Sequence, residues 1–267
     1  MRGIGVYIKH MKKNEYEKLE AVQNIPELKQ IALPFMLFHN IEVMPCGQKL
    51  HYNERPDLKK LIPKLKKLYE LRIKNYSEGI YSFARCGINK REQEQYYYRY
   101  IENEILSLIK GTRVSENLKN VFIISKKLWD IAIEKYRDKY FYKYEILHGD
   151  LHEGNILYWW KNIYLIDWEY LRSGPKEMEL SFFLCWHYLQ KSSEYSNFEL
   201  LDKEIEIMKD ENLIDNEIAN RIKELLIPMW FIVDICYLSN GNLAFAKERE
   251  AKIIEIVPRY LKYLNGK

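Results

Sequence analysis

The stretch ILHGDLHEGNIL, residues 146–157, is the part of the chain from which its fold is inferred. A polar loop lies here between two short apolar runs, and a polar turn at Lys161-Asn162 leads into a third apolar run, residues 163–166. Apolar runs of this length between turn residues predict strands, so residues 156–166 are predicted to form a β-hairpin. Strands this short would hold the polar residues at their ends on a rigid support, where catalytic groups are useful.

The polar residues follow the order H-x-D-x-x-x-x-N, and Asp167 ends the third apolar run. Phosphoryl transfer needs one carboxylate that orients the attacking hydroxyl and accepts its proton. It also needs an amide and a second carboxylate that hold magnesium on the phosphates. The spacing therefore predicts Asp150 as the catalytic base, with Asn155 and Asp167 as ligands of Mg²⁺, for which their oxygens are suited. His148 is predicted to bond backbone carbonyls and hold this catalytic loop in shape.

Two other interpretations of the loop stay open from the residues alone. Its acids could be ordinary solvated side chains between two strands. Alternatively, His148, Asp150 and His152 alternate along the chain and could bind a transition metal, as in a metallohydrolase. That interpretation gives Asn155 and Asp167 no role, whereas phosphoryl transfer uses both in the order found.

The same residues resemble the catalytic loop and metal-binding strand of the aminoglycoside phosphotransferase and choline kinase superfamily, which are small-molecule relatives of protein kinases. Residues 148–155 match the loop, with His-Gly-Asp where protein kinases usually have His-Arg-Asp. Residues 167–170, DWEY, resemble the magnesium motif of the choline kinase branch rather than Asp-Phe-Gly. Further on, Gly174-Pro175 followed by Glu179-Leu180 resembles a pattern that normally has Asp before Leu-Ala.

This resemblance implies an α+β, protein-kinase-like bilobal fold. A short, truncated N-terminal lobe with β-strands would occupy residues 1–47, with an inter-lobe hinge at its end. A mainly helical C-terminal lobe, residues 48–267, would carry the catalytic loop and the acceptor site. Only eight residues precede Lys9, where the family usually has two strands and a phosphate-covering loop. Either that hairpin is missing or the chain begins inside a longer protein.

The N-terminal residues supply the remaining predictions for the nucleotide site. Residues 5–9, GVYIK, predict a strand ending in Lys9, and a helix follows. The resemblance implies that Lys9 contacts the nucleotide phosphates and pairs with a glutamate on that helix, best matched by Glu15. Residues 41–50 resemble the hinge, so Glu42 and Met44 would bind the adenine edge through main-chain atoms. Solvated surface charges and an ordinary strand end are the alternatives.

Composition limits the partners of the chain. Its 267 residues carry 42 basic and 38 acidic side chains, and a net charge of +4 is too small to indicate a nucleic-acid partner. Four scattered cysteines without a C-x-x-C pair are typical of reduced thiols in a cytoplasmic protein. The longest apolar run, residues 225–238, is shorter than a membrane span, so no membrane partner is predicted.

The predicted function is transfer of the γ-phosphate of ATP or GTP, with Mg²⁺, to a hydroxyl of a small molecule such as an aminoglycoside, choline or a similar amino alcohol or sugar. The family builds its acceptor pocket from C-terminal helices, so the resemblance implies four candidates for that pocket: Trp186, His187, Trp230 and Asp234. As large residues on apolar helices, they are more commonly part of the core. Tyrosines at 96–98 and 100 could form a cation-binding cage, although packing between helices is favoured. The alternative function is a catalytically inactive kinase-fold binding or structural protein, similar to spore-coat relatives.

Overall fold

The computed structural model describes residues 6–39, 41–46, 48–49, 56–71, 97–139, 145–185, 198–241 and 246–266. Contacts between residues divide the chain into two compact units. Unit 1 comprises Met1–Asn89 and Lys143–Glu179, and unit 2 comprises Lys90–Tyr142 and Leu180–Lys267. The chain therefore leaves unit 1 after its first strands and helices, and returns to it for the catalytic loop.

Unit 1 contains a three-stranded antiparallel sheet from the N-terminal part of the chain. Its strands are β1, Val6–His10, β2, Met36–Phe38, and β3, Ile41–Pro45, in the order β1-β3-β2. Two helices, α1 at Lys13–Asn24 and α2 at Pro26–Lys29, connect β1 to β2. The register places Lys9 of β1 directly opposite Glu42 of β3. The predicted lysine strand is therefore present, and it pairs with a strand formed by the first residues of the predicted hinge.

The mostly apolar run from Ile31 to Phe38 predicts one strand, but the first half of this prediction is wrong, because β2 begins only at Met36. Pro34 has no backbone N–H to donate to a sheet. Before it, the backbone pairs with the catalytic hairpin: Leu165 N–H donates to the Ile31 carbonyl at 2.9 Å, and Leu33 N–H donates to the Leu165 carbonyl at 3.2 Å. Residues 31–33 thus tie the N-terminal part of unit 1 to the hairpin.

The predicted hairpin is confirmed as β6, Ile156–Trp159, and β7, Asn162–Leu165. Trp160 and Lys161 both have positive φ, 50° and 67°, which is the backbone of a primed two-residue hairpin turn. The turn therefore falls one residue earlier than predicted. The short strand β4, Gln48–Lys49, pairs with the other edge of β6, and β5, Glu145–Leu147, pairs with β8, Arg172–Gly174.

Helix α3, Leu58–Tyr69, completes the described part of unit 1 together with the first residues of α6, Lys176–Leu184. Asp57 caps α3 by accepting a hydrogen bond from Lys59 N–H at 3.1 Å. Apolar residues recur in α3 at the three-four spacing that predicts one buried helix face. The structure buries these residues: Leu58, Leu61, Ile62, Leu65, Leu68 and Tyr69. A small apolar cluster lies beside the hairpin and contains Leu33, Met44, Leu157 and Ile166.

Unit 2 is helical in all its described residues except the connecting turns. Its helices are α4, Tyr97–Lys110, α5, Lys119–Tyr136, α7, Phe198–Asp210, α8, Asn216–Arg221, α9, Ile227–Ser239, and α10, Ala246–Asn265. A π-helical turn, Ile222–Leu226, joins α8 to α9, so residues 216–239 are helical without a break. No helix in the described ranges is long and apolar enough to cross a membrane.

The tyrosine cluster is described at one member. The Tyr98 side chain is fully buried, with its ring centroid 6.5 Å from that of Tyr136 on α5. Tyr96 lies outside the described residues, and the side chains of Tyr97 and Tyr100 lie outside them too. At Tyr98 the structure shows packing between two helices.

Candidate active site

The catalytic loop begins at His148, directly after β5. Its imidazole is completely buried, and Nε2 lies 2.8 Å from the carbonyl oxygen of Ile166, at the end of the hairpin. Burial lowers the pKa of His148 to about 4, even though the hydrogen bond to Ile166 opposes this shift. The ring is therefore neutral at physiological pH and ties the start of the loop to the residue before Asp167.

Glu179 holds the backbone of the same loop. Gly149 N–H donates to its Oε2 at 2.5 Å, and the hydroxyl of Tyr69 on α3 donates to its Oε1 at 2.9 Å. The side chain is only 2% exposed, and burial raises its pKa despite these hydrogen bonds. The position that departs from the family pattern therefore keeps a carboxylate, which anchors the loop to two other elements.

Asp150 and Asn155 are joined directly. The Asn155 amide nitrogen donates to the Asp150 carbonyl at 2.9 Å and to Asp150 Oδ2 at 3.2 Å. Burial acts to raise the pKa of Asp150, but the interaction with the neighbouring His152 imidazole and the Asn155 hydrogen bond lower the pKa overall. Asp150 is therefore a carboxylate at neutral pH, with one oxygen held by its neighbours.

Asp167 has a left-handed backbone, with φ 64° and ψ 61°, directly after Ile166. A residue other than glycine in this region is uncommon, and such strain concentrates at functional sites. A short 3₁₀ turn, Trp168–Tyr170, follows it. The Lys9 ammonium donates to Asp167 Oδ1 at 2.8 Å, which brings β1 to the end of the hairpin.

Four carboxyl groups surround Lys9: those of Glu15, Glu42, Asp167 and Glu169. We call these five residues the Lys9 cluster. The nitrogen of Lys9 lies 3.8 Å from Glu169 Oε2 in addition to its bond with Asp167. Burial acts to lower the pKa of Lys9, but the hydrogen bond to Asp167 and the nearby negative charges raise it overall. Lys9 is therefore a cation.

The predicted Lys9–Glu15 ion pair is not present among the described residues. Glu15, in the first turn of α1, folds back to accept a hydrogen bond from Lys12 N–H at 3.2 Å. It also lies near the Glu169 carboxyl group, whose pKa is raised by burial and by this neighbouring acid. Asp167 and Glu169, which follow the hairpin, take the place that the resemblance gave to Glu15.

A cavity of about 290 Å³ lies in unit 1 and contains five of the eight predicted site residues in its wall: Lys9, Glu42, Met44, Asn155 and Asp167. Tyr7 and the free thiol Cys46 also line it. Asp150, His148 and Glu15 are outside this wall. The hairpin supplies one side of the cavity and strands β1 and β3 supply the other, so residues far apart in sequence meet around one space.

Glu42 differs from its predicted role. It lies on the central strand β3, opposite Lys9 of β1 and Leu37 of β2, so its main-chain groups face paired strands rather than a ligand. What it offers the cavity is its side chain, which is 2% exposed. Burial raises the pKa of this carboxyl to about 7, although Lys9 opposes the shift. Met44, two residues on, lines the same cavity.

The metallohydrolase interpretation loses its first ligand, because His148 is buried and its Nε2 contacts the Ile166 carbonyl. Within the described ranges, no group of three or more His, Cys, Asp or Glu side chains is arranged to hold a metal.

Of the proposed acceptor-pocket residues, Trp186 and His187 lie outside the described residues. In unit 2, Trp230 donates to the Ser181 hydroxyl at 2.9 Å, and Asp234 pairs with Arg249 at 2.7 Å.

Three residues act in the site without having been predicted. Glu179 was noticed only as a departure, and His152 only as a metal ligand. Lys18 on α1 is almost fully buried, donates to the Glu169 carbonyl, and lies 5.9 Å from the Tyr170 ring centroid. Its signal in the sequence was weak, because one lysine among the polar residues of an amphipathic helix usually indicates an exposed face.

No family model matches the sequence, and no curated protein matches it by sequence. The fold is similar to that of the choline/ethanolamine kinase family protein from Mesorhizobium loti, with a TM-score of 0.58 at 13% identity over 100% of this chain and 88% of that one. For the AMP-bound complex of spectinomycin phosphotransferase the TM-score is 0.58 at 16% identity, over 97% and 88%. For amicoumacin kinase in complex with AMP-PNP, Ca²⁺ and Ami it is 0.55 at 14% identity, over 94% and 80%.

The similarity to these structures spans nearly the whole chain. Their sequence identities are low, so what they share with this chain is the fold. The predicted α+β fold is thereby confirmed. The chain has a protein-kinase-like fold that is similar to the folds of solved choline kinases and aminoglycoside phosphotransferases.

Proposed function

We propose that this protein is a nucleotide-dependent phosphotransferase that moves the γ-phosphate of ATP or GTP to a hydroxyl of a small molecule. One observation carries the proposal. The Asn155 amide is bonded to the carboxylate of Asp150 and also lines the cavity that holds Lys9 and Asp167. A base, two oxygen ligands and a cation are therefore linked within one unit, and these are the groups that phosphoryl transfer uses.

Asp150 is the proposed base. It is ionised, and Asn155 holds its Oδ2, so the other carboxylate oxygen is free of described hydrogen bonds. A carboxylate in this state can orient the hydroxyl of an acceptor and accept its proton as the bond to phosphorus forms. Its depressed pKa makes it a weak base, which suits a role mainly in orienting the hydroxyl.

The residues present fit a magnesium ion. The Asn155 nitrogen is used on Asp150, which leaves its amide oxygen as a ligand at the cavity wall, and Asp167 keeps one oxygen without a described partner. Mg²⁺ is commonly held by one or two protein oxygens together with substrate phosphates, so a larger cluster of acids is unnecessary. When bound, it would neutralise negative charge on the phosphate oxygens.

Lys9 is the proposed phosphate contact, because it is a cation at the wall of the same cavity. The likeness to structures solved with AMP and with AMP-PNP supports a nucleotide as the donor. The kinases with this fold act on choline, ethanolamine, spectinomycin and amicoumacin by their names, which supports an amino alcohol or aminoglycoside-type acceptor. We place the reaction in the cytoplasm, where nucleotide is abundant.

Thermal unfolding with nucleotide and Mg²⁺ tests the donor half of the proposal. A ligand at about a hundred times its Kd stabilises the folded state by roughly 2.7 kcal/mol, so ATP or GTP should raise the melting temperature only when Mg²⁺ is present. Asp167→Ala should remove the magnesium-dependent part of the shift. Asp130→Ala is the matched control, because it deletes an exposed carboxylate on α5 of unit 2 and should keep the full shift.

Turnover tests the acceptor half. Consumption of the stabilising nucleotide should require one of a panel of aminoglycosides and amino alcohols, with phosphate found on the acceptor. No shift with either nucleotide and no turnover would contradict the proposal and favour the binding or structural protein.

A further inference from the structure

We propose that His152 is a positioning residue for Asp150: its imidazole is held in one tautomer by the loop backbone and directs its Nε2 proton at the carboxylate of the proposed base. The inference rests on the proposed function for its effect on turnover. The contact itself is a property of the loop and is measurable without turnover.

The tautomer follows from one hydrogen bond. Gly154 N–H donates to His152 Nδ1 at 3.1 Å. A backbone N–H needs a lone pair to bond to, so Nδ1 carries no proton, and a neutral imidazole then carries its proton on Nε2. The backbone two residues on therefore selects which ring nitrogen is a donor.

The selected donor faces the proposed base. His152 Nε2 lies 3.6 Å from Asp150 Oδ2, the oxygen that already accepts from the Asn155 amide. This distance exceeds that of an ordinary hydrogen bond, but catalytic hydrogen bonds are often long before the substrate binds. Two donors thus converge on one carboxylate oxygen, and the second oxygen remains for the acceptor hydroxyl.

The loop is built to keep the ring in this place. A Cβ atom added at Gly154 would lie 2.7 Å from His152 Cε1 and 3.0 Å from Nδ1, closer than a side-chain carbon normally approaches. His152 also begins the 3₁₀ turn Glu153–Asn155, in which Asn155 N–H donates to the His152 carbonyl at 2.9 Å. The same short turn therefore positions both donors to Asp150.

Two substitutions test the roles of the two ring nitrogens of His152 separately. In His152→Asn the amide oxygen replaces Nδ1 as the acceptor for the Gly154 N–H, but the shorter side chain brings no donor of its own to Asp150. In His152→Gln the longer side chain can again bring an N–H to the carboxylate. We expect His152→Asn to lower kcat by roughly ten- to a hundredfold, the typical effect of losing a hydrogen bond to a charged group, with the nucleotide KM unchanged. His152→Gln should recover most of the loss.

A merely structural role predicts a different pattern. Equal losses in both variants, accompanied by a lower melting temperature, would overturn the proposal, and so would an unchanged kcat in His152→Asn. Nucleotide-induced stabilisation measured on both variants serves as the control, because neither change touches the cavity that Lys9 and Asp167 line.

Nitrogen-15 NMR of the imidazole gives the readout that does not depend on turnover. We expect the Nε2–H tautomer for His152, identified by the resonance that disappears in His152→Asn, and a change in its Nε2 shift in Asp150→Asn. An Nδ1–H tautomer, or no response to Asp150→Asn, would overturn the proposal. An inactive wild-type protein that shows the expected tautomer and response would overturn the proposed function alone.

Discussion

The catalytic loop and the Lys9 cluster are both polar and both belong to unit 1, but they are assembled in opposite ways. In the loop, the bonds that shape the site join residues two and five positions apart, as in Gly154 with His152 and Asn155 with Asp150. In the cluster, the central bond joins Lys9 to Asp167 across 158 positions. The loop is therefore a local structure that the fold anchors, whereas the cluster exists only once the fold has formed.

The loop and the Lys9 cluster also differ in the pKa values of their carboxyl groups. In the loop, Asp150 accepts a hydrogen bond from the Asn155 amide and lies beside His152, and its pKa is lowered as a result. The cluster places four carboxyl groups around one ammonium, and burial raises the pKa of Glu42 and of Glu169. The loop stabilises the carboxylate of Asp150, whereas the cluster holds two carboxyl groups, Glu42 and Glu169, that ionise less readily than usual.

The largest expected effect comes from the backbone of the loop. Gly149 has φ +86°, and a Cβ there would overlap the carbonyl group of Tyr170. Gly149→Ala should therefore lower the free energy of unfolding by at least about 4 kcal/mol, measured by urea denaturation. Gly241→Ala is the matched control in unit 2. Its φ is +70° but nothing lies within 4 Å of the added carbon, so only the backbone strain of about 1–2 kcal/mol remains. Equal losses would show that the loop packs loosely.

The second effect is on catalysis. Asp150→Asn keeps the shape of the side chain but removes the base, so kcat should fall by roughly 10²–10⁴-fold. Nucleotide-induced stabilisation should stay close to that of the wild type, because Asp150 does not line the cavity. A loss of nucleotide binding equal to the loss of kcat would mean that the loop and the cluster act as one site rather than as two.

Much of the loop could be predicted from sequence because its information is local. The order of His148, Asp150 and Asn155, the hairpin and the strand-ending Asp167 all follow from spacing and short-range alternation. The buried face of α3 follows from its three-four periodicity in the same way. The spacing did not predict the hydrogen bond from Gly149 to Glu179 that anchors the loop, because this bond depends on where α6 lies.

The cluster was predicted less well, for a physical reason. A lysine on a strand can reach several carboxylates, and which one it meets depends on the packing of α1 and the hairpin rather than on local sequence. Glu42 illustrates a signal that was present: Glu42 and Met44 are two residues apart on one strand and therefore share a face. Alternation alone would have assigned both side chains, rather than main-chain atoms, to one side of the sheet.

The smallest of the three effects is on the pH dependence of stability, and it tests the comparison most directly. The pKa of Glu42 is raised from 4.5 to about 7, so the folded state binds this proton more tightly than the unfolded state. The contribution of Glu42 to the free energy of unfolding is therefore greatest at or below its unfolded pKa, and falls by on the order of 3 kcal/mol as pH rises to the folded pKa.

Glu42→Gln removes this fall. Its stability relative to the wild type should rise between about pH 5 and about pH 8 in urea denaturation, because the neutral amide never ionises. Glu27→Gln, at an exposed position on α2, should show no such change.

The stability of Asp150→Asn relative to the wild type should instead fall as pH rises. The pKa of Asp150 is depressed, so its carboxylate stabilises the fold above its ordinary pKa of 3.8, and the variant loses that stability at neutral pH. If the loop stabilises its carboxylate and the cluster does not, the pH-dependent changes in relative stability of Glu42→Gln and Asp150→Asn must have opposite signs. Equal signs would mean that the cluster stabilises its carboxylates as well as the loop does.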